Sequence, residues 1–280
     1  MFARNVAPGV WRLPFDSSTL PPFDHTNGWM ITKRDVAVLI DPGFHDLSGL
    51  EMLQGALTAS GARHLAAVWL THTHIDHVEG LDRLRDLHPS VEVFVHEREI
   101  TRLDVANRTV AVVADDELEV GGRAARALHT PGHSPGHVAY VLEDIGWIFV
   151  GDLLAGQGPV WVGAPDGDVA AYLDSLDRVA RERARVLAPG HGEPLTDPHA
   201  AIAWARRHRL DRETQILGVL QGASQPLMVS ELRAQVYPDL ASGLAALAER
   251  SLIAQLDKLI GESRVERVGT DPNGSYRALR

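Results

Sequence analysis

The chain of 280 residues has no cysteine and a formal net charge of −10, which leaves no disulfide, thiolate metal site or cysteine nucleophile and argues against broad electrostatic attraction to nucleic acid. Its 45% apolar content is ample for a core, either one large domain or a domain of about 200 residues with a small appendage. Residues 1–8 lack the long apolar core of a signal peptide and no later stretch is long enough to span a bilayer, so a soluble cytoplasmic protein with no membrane contact is expected.

Residues 10–13, 28–32 and 36–40 read as short strands separated by polar turns, with Lys33, Arg34 and Asp35 closing a hairpin and Asp41-Pro42-Gly43 ending the third strand. Residues 50–59 carry apolar side chains at helical spacing, and the apolar run 65–70 reads as a buried strand. Residues 79–87 predict a helix and 91–95 a further strand, closed by His96, to which a structural role is given. Residues 109–113 and 118–120 predict two strands joined by a turn at Asp115-Asp116. His25 and His45 read as solvated loop residues, and His64, His88, His199 and His208 as surface residues.

The stretch Thr71-His72-Thr73-His74-Ile75-Asp76-His77 stands apart, because four of its seven residues are potential metal ligands at the exit of a buried strand. On an extended backbone His72 and His74 project to the same side and can reach one ion. Asp76 and His77 follow after the chain turns, which lets them face a second ion. Imidazole nitrogen and carboxylate oxygen together suit zinc or another borderline divalent cation. Farther on, residues 128–137 hold His129, His133 and His137 in a loop made rigid by Pro131, Gly132, Pro135 and Gly136. Two apolar strands, 147–150 and 186–188, then end in Gly151-Asp152 and Gly190-His191-Gly192, where glycine allows close backbone approach.

Taken together, His72-x-His74-x-Asp76-His77, His133, Asp152 and His191 resemble the motif set of the metallo-beta-lactamase superfamily of binuclear metallohydrolases, over nearly the whole of the first 200 residues. The resemblance implies an α/β fold, a four-layer αββα sandwich of two central sheets with helices outside. It implies His72, His74 and His133 on one metal, Asp76, His77 and His191 on the other, and Asp152 bridging both. The cofactor implied is two divalent ions, zinc first. Their bridging water would act as nucleophile, with Asp76 orienting it and Asp152 holding the pair. His137 falls outside this set and is assigned a supporting role.

Residues 201–220 read as a long helix, 221–226 as a linker, 229–236 and 243–260 as two helices, and 264–268 and 275–279 as a hairpin turning at residues 271–274. Helix, helix, hairpin is a winged-helix order. The expected organisation is a catalytic domain at 1–205 and a linking helix with a winged-helix-like domain at 206–280. That pairing resembles the beta-lactamase-like protein 2 group, as do residues 151–158. From Arg206 onward eleven basic residues face nine acidic ones, a weak phosphate-binding balance. The appended domain is therefore expected to wall the cleft or support a homodimer. The expected activity is hydrolysis of a small ester, thioester or lactone, a class that hydroxyacylglutathione hydrolases and acyl-homoserine lactonases, which resemble this ligand pattern, represent. Cleavage of single-stranded RNA is the alternative, motivated by the appended domain.

Overall fold

A computed structural model describes residues 1–103, 110–269 and 274–279. The first sheet runs β1 (Arg4–Ala7), β2 (Val10–Phe15), β3 (Thr26–Lys33), β4 (Val36–Ile40), β5 (His64–Trp69), β6 (Glu92–Val95) and β7 (Val110–Val112) in spatial order. Its pairings are antiparallel as far as β4 and parallel beyond it. The second sheet is built from β8 (Glu117–Val120), β9 (Arg123–His129), β10 (Val138–Leu142), β11 (Trp147–Gly151) and β12 (Val186–Pro189), in the order β12-β11-β10-β9-β8, with β11 and β12 parallel.

The two sheets pack face to face. Trp29, Ile31, Val38, Ile40 and Trp69 of the first meet Ala127, Tyr140, Trp147 and Phe149 of the second in one buried cluster. Successive strand residues alternate between faces, so Met30, Ala37 and Leu39 point the other way. There they pack under helix α1 (Leu47–Ser60) and α3 (Leu81–Leu87), through Leu50, Leu53, Ala56, Leu57, Leu81 and Leu84. On the far side Ile148, Val150 and Leu187 pack against α4 (Val169–Arg181) and the first turns of α5 (Pro198–Gly222). Helices thus lie outside both sheets. Burial on two faces explains why these strands read as unbroken apolar runs.

Helix α5 is continuous across residue 205. Ile202 and Ala205 belong to the core of the second sheet, whereas Ile216, Leu217 and Leu220 pack with α6 (Val229–Val236), α7 (Ala245–Gly261) and the small sheet β13 (Leu227–Met228), β15 (Ser275–Ala278), β14 (Val265–Val268). Glu213, 6% exposed, ties these parts together. It accepts a 2.6 Å hydrogen bond from Lys258 of α7 and another from Arg264 beside β14.

Several expectations needed correction. Strand β1, strand β10 and helix α4 were not anticipated, and Leu128 and His129 close strand β9 rather than opening the loop. Asp76 and His77 lie in a short helical turn, α2 (Ile75–Val78), and the helix expected at 79–87 begins only at Leu81. Thr109 and the residues 271–273 of the hairpin turn lie outside the described residues. Among the described residues no helix is long and apolar enough to cross a membrane.

Replacing Glu213 by Gln keeps the shape and removes the charge, leaving Lys258 to a single carboxylate, that of Glu262. The expected loss is about 3 kcal/mol of unfolding free energy in urea, the scale for breaking a buried ion pair. A loss under about 1 kcal/mol would place the pair with weak surface salt bridges.

Candidate metal centre

Five of the seven expected side chains leave the C-terminal end of a strand or the loop after it, and Asp76 and His77 lie in the short helical turn that follows β5. Strand β5 delivers His72 and His74, α2 delivers Asp76 and His77, the loop after β9 delivers His133, β11 delivers Asp152 and β12 delivers His191. Gly151 adopts φ +46, a conformation that glycine enters without steric cost and that turns the chain sharply into Asp152. At Gly190 a Cβ would stand 2.7 Å from both Asp152 Oδ1 and His77 Cε1, so only glycine lets the backbone pass so near.

All seven converge. His133 Nε2 lies 3.2 Å from His72 Nε2 and 2.8 Å from His74 Nδ1, with Asp152 Oδ2 at 3.5 Å. The other oxygen, Asp152 Oδ1, lies 3.4 Å from both His77 Nε2 and His191 Nε2, and Asp76 Oδ2 lies 3.4 Å from His191 Nε2. One carboxylate therefore turns an oxygen to each of two groups: His72, His74 and His133 form the first, and Asp76, His77 and His191 the second.

The outward nitrogens are already committed. Backbone carbonyls only accept, so His133 donates Nδ1–H to Trp161 O at 2.7 Å and His191 donates Nδ1–H to His25 O at 3.1 Å. His77 Nδ1 lies 2.9 Å from Asp41 Oδ2, and His72 Nδ1 lies 3.0 Å from the Thr71 hydroxyl, which itself donates to Asp41 at 2.7 Å. Such contacts fix the orientation of each ring and leave Nε2 as the inward-facing atom, the one available to a cation. Yet His77 Nε2 and Asp152 Oδ1 are buried without any hydrogen-bond partner. Buried orphans of this kind are costly, and a cation between them would satisfy both. The donor set of imidazoles and carboxylates fits divalent metal.

Electrostatics agree. Burial opposes charge on His77 and His191, but Asp152 beside them overrides it, raising His77 well above its usual range and His191 to about 9. Burial would likewise raise the carboxyl groups, but His77 and His191 hold Asp76 at about 2 and Asp152 well below the usual range. Burial keeps His72 and His133 neutral, the latter at about 4.

A second ring of residues was not anticipated. Asp41, 1% exposed, accepts from Thr71 N–H at 2.8 Å as well as from its hydroxyl. Glu99, fully buried, accepts from Thr73 Oγ1 and from Gly136 N–H, joining the first histidine pair to the loop of His133. Asp166 pairs with Arg102 at 2.8 Å and lies 3.8 Å from His74 Nε2. Trp161 anchors its own segment to α7, its indole donating to Leu247 O at 3.2 Å, and Ala164 N–H donates to Arg250 O at 3.1 Å. Asp41 had a readable signal, an acidic residue ending an apolar strand as Asp152 does. Glu99, Trp161 and Asp166 had none.

His137 supports the site, accepting from Asp152 N–H at 3.2 Å while its Nδ1–H donates to Thr130. His96 is structural, stacked on His129 with ring centroids 4.2 Å apart. His25 is not a solvated loop residue: its ring is held between Arg12 and Asp24, and its carbonyl orients His191. His208 is not a plain surface residue either, since its Nδ1 is buried. His45 stays on the surface beside Asp16 and Asp46.

The profile of a family described as the Metallo-beta-lactamase superfamily matches residues 21–191. An atrochrysone carboxyl ACP thioesterase of Passalora fulva is 29% identical over 271 residues, spanning 94% of this chain and 78% of its own. A beta-lactamase-like protein 2 homolog of Drosophila melanogaster is 26% identical over 253 residues, spanning 86% of this chain and 84% of its own. A solved metallo-beta-lactamase family protein of Thermus thermophilus shares the fold with TM-score 0.80, at 24% identity over 98% of this chain and 100% of its own.

In chelator-stripped protein the pKa shifts set the pH profile of stability. The raised value of His191 stabilises the fold fully below its unfolded value near 6.5, and that contribution is lost as pH rises through about 9. His133 acts oppositely, because its folded value of about 4 penalises folding as pH falls below 6.5. The thermal midpoint of stripped protein should therefore decline from about pH 7 to 9 and again below about pH 6. A flat profile between pH 7 and 9 would contradict the charge arrangement.

Proposed function

The chain belongs to the metallo-beta-lactamase superfamily and is a hydrolase, and from that premise we propose that it uses two divalent metal ions to hydrolyse a small thioester, or a chemically neighbouring ester or lactone. The observation that carries the metal assignment is the pair of buried, unpartnered atoms, His77 Nε2 and Asp152 Oδ1, facing one another across 3.4 Å. His72, His74 and His133 would hold one ion, Asp76, His77 and His191 the other, and Asp152 both. Zinc suits a donor set of nitrogen and oxygen without thiolate. Bound cations would supply a nucleophilic water at neutral pH and polarise the scissile carbonyl.

The protein's own part is positional. Asp76 stays ionised, with its pKa at about 2, and orients the attacking water by accepting its hydrogen bond. Asp41, Thr71, Trp161 and His25 hold four imidazoles in fixed orientations, so no reorganisation is needed at the moment of attack. The thioesterase name of the Passalora fulva relative supports a thioester as substrate class.

We assign residues 1–205 to the catalytic domain and 206–280 to a linking helix with a winged-helix-like unit of α6, α7 and the small sheet. Its charges favour a small substrate over RNA. Arg233 pairs with Glu249, Lys258 with Glu213 and Glu262, Arg264 with the same two, Arg267 with Asp257 and Arg277 with Glu266. Cations already committed to acids make a poor phosphate surface.

Protein purified without added metal should contain about two equivalents of divalent ion, by elemental analysis. It should cleave acyl thioesters, and Asp152→Ala should abolish turnover. Cleavage of single-stranded RNA with thioesters and lactones untouched would overturn the substrate class, and an unchanged rate in Asp152→Ala would overturn the mechanism. Because His77 and His191 carry protons without metal, affinity measured by chelator competition should rise with pH until about 9, with proton release on binding.

A further inference from the structure

The catalytic reading leaves one buried charge unused. Arg209 lies on the inner face of α5, only 7% exposed, and among the described residues no carboxylate lies within ion-pair distance of it. Its guanidinium sits over the ring of Tyr172, 5.1 Å from the centroid, and one nitrogen donates to Val160 O. The groups nearest in charge are the wrong sign or neutral: Arg212 on the same helix, and the hydroxyls of Tyr172 and Tyr237. Burying a guanidinium without a paired carboxylate is expensive.

Beside it, the neighbouring His208 has a buried Nδ1 with no hydrogen-bond partner, and its ring stacks on Trp204 with centroids 5.5 Å apart. Arg209, His208 and Trp204 line a cavity of about 180 Å³, together with Tyr172, Leu154 and Val160. The cavity lies between α4, α5 and residues 154–160, and none of the seven convergent residues of the metal centre lines it. A space of this size accepts a single six-membered ring, since an apolar cavity of about 150 Å³ binds benzene. Arginine presents a planar fork of donors that matches a carboxylate in two hydrogen bonds.

We propose that this cavity is a second binding site, which takes a small carboxylate with a flat apolar body: the anion pairs with Arg209 and accepts from His208 Nδ1–H, while the body lies against Trp204, Tyr172 and Leu154. The site is separate from the hydrolytic reading and does not depend on it. It does touch the same loop, because Leu154 follows Asp152 by two residues, and Tyr172 donates its hydroxyl to Leu153 O at 2.9 Å.

Benzoate is the probe, with benzamide as its uncharged equal in shape. Calorimetric titration should show saturable benzoate binding with Kd of about 1 mM or tighter, and benzamide weaker by about tenfold or more, the loss expected when a charge-assisted pair is replaced by neutral hydrogen bonds. Trp204→Ala changes a residue 43% exposed, so the fold should survive, and benzoate affinity should drop by about fivefold or more for loss of the stacking wall. His208→Phe keeps an aromatic ring against Trp204 and removes the donor, and should weaken benzoate by more than it weakens benzamide, because the lost hydrogen bond is charge-assisted only with the anion. Asp152→Ala should bind benzoate as the parent does, which separates this cavity from a carboxylate held at the metal centre. Binding lost in Asp152→Ala, equal binding of benzamide, or parental affinity in both Trp204→Ala and His208→Phe would each overturn the proposal. So would the absence of saturable binding up to about 20 mM.

Discussion

The carboxylate of Asp41 is the contact on which the centre depends. It sits at the end of β4 in a left-handed conformation, φ +52, unusual for a residue with a side chain. From there it receives Thr71 N–H, the Thr71 hydroxyl and His77 Nδ1. A single buried anion thereby fixes the exit of β5, the ring of His77 and, through Thr71, the ring of His72. The imidazoles of His133 and His191 are set by backbone carbonyls at Trp161 and His25, and His74 Nε2 faces Asp166 at 3.8 Å. What looks like seven independent side chains is one framework held from outside.

That framework explains why some of the site was legible in the sequence and some was not. Chemistry-bearing side chains at strand ends, such as His72, Asp152 and His191, announce themselves because polar residues interrupt apolar runs. The partners that aim them do not. His25 and Trp161 act through carbonyl oxygens, which every residue has, and Glu99 sits in a polar stretch, Glu97-Arg98-Glu99, that reads as surface yet buries its last member completely. Contacts between residues as far apart as Asp41 and His77 or His25 and His191 follow from the sheet order, which no local pattern reports.

The fold shows the same division. Strands buried on both faces, β4, β5 and β11, were plain as continuous apolar segments. Strand β9 was obscured because its sequence, Arg-Ala-Ala-Arg-Ala-Leu-His, favours helix by composition, and pairing with β8 and β10 overrides that preference. Helix α4 did carry a signal, with Val169, Tyr172, Leu173, Leu176 and Val179 buried along one face at helical spacing. The C-terminal helices and the β14–β15 hairpin were legible because clear breaks separate them, whereas the two-residue strand β13, which pairs with the distant β15, was not.

The attachment of Trp161 and Ala164 to carbonyls of α7 has a wider consequence. His133 leans on a segment whose far side is held by a helix late in the chain, so the geometry of an imidazole in the centre is partly written in the C-terminal residues. Exchange of that region between relatives would not be a modular swap. Sequence drift in α7 that tilts the helix by a fraction of a turn would be transmitted through the indole to His133, and could retune the centre while every converging side chain stayed the same.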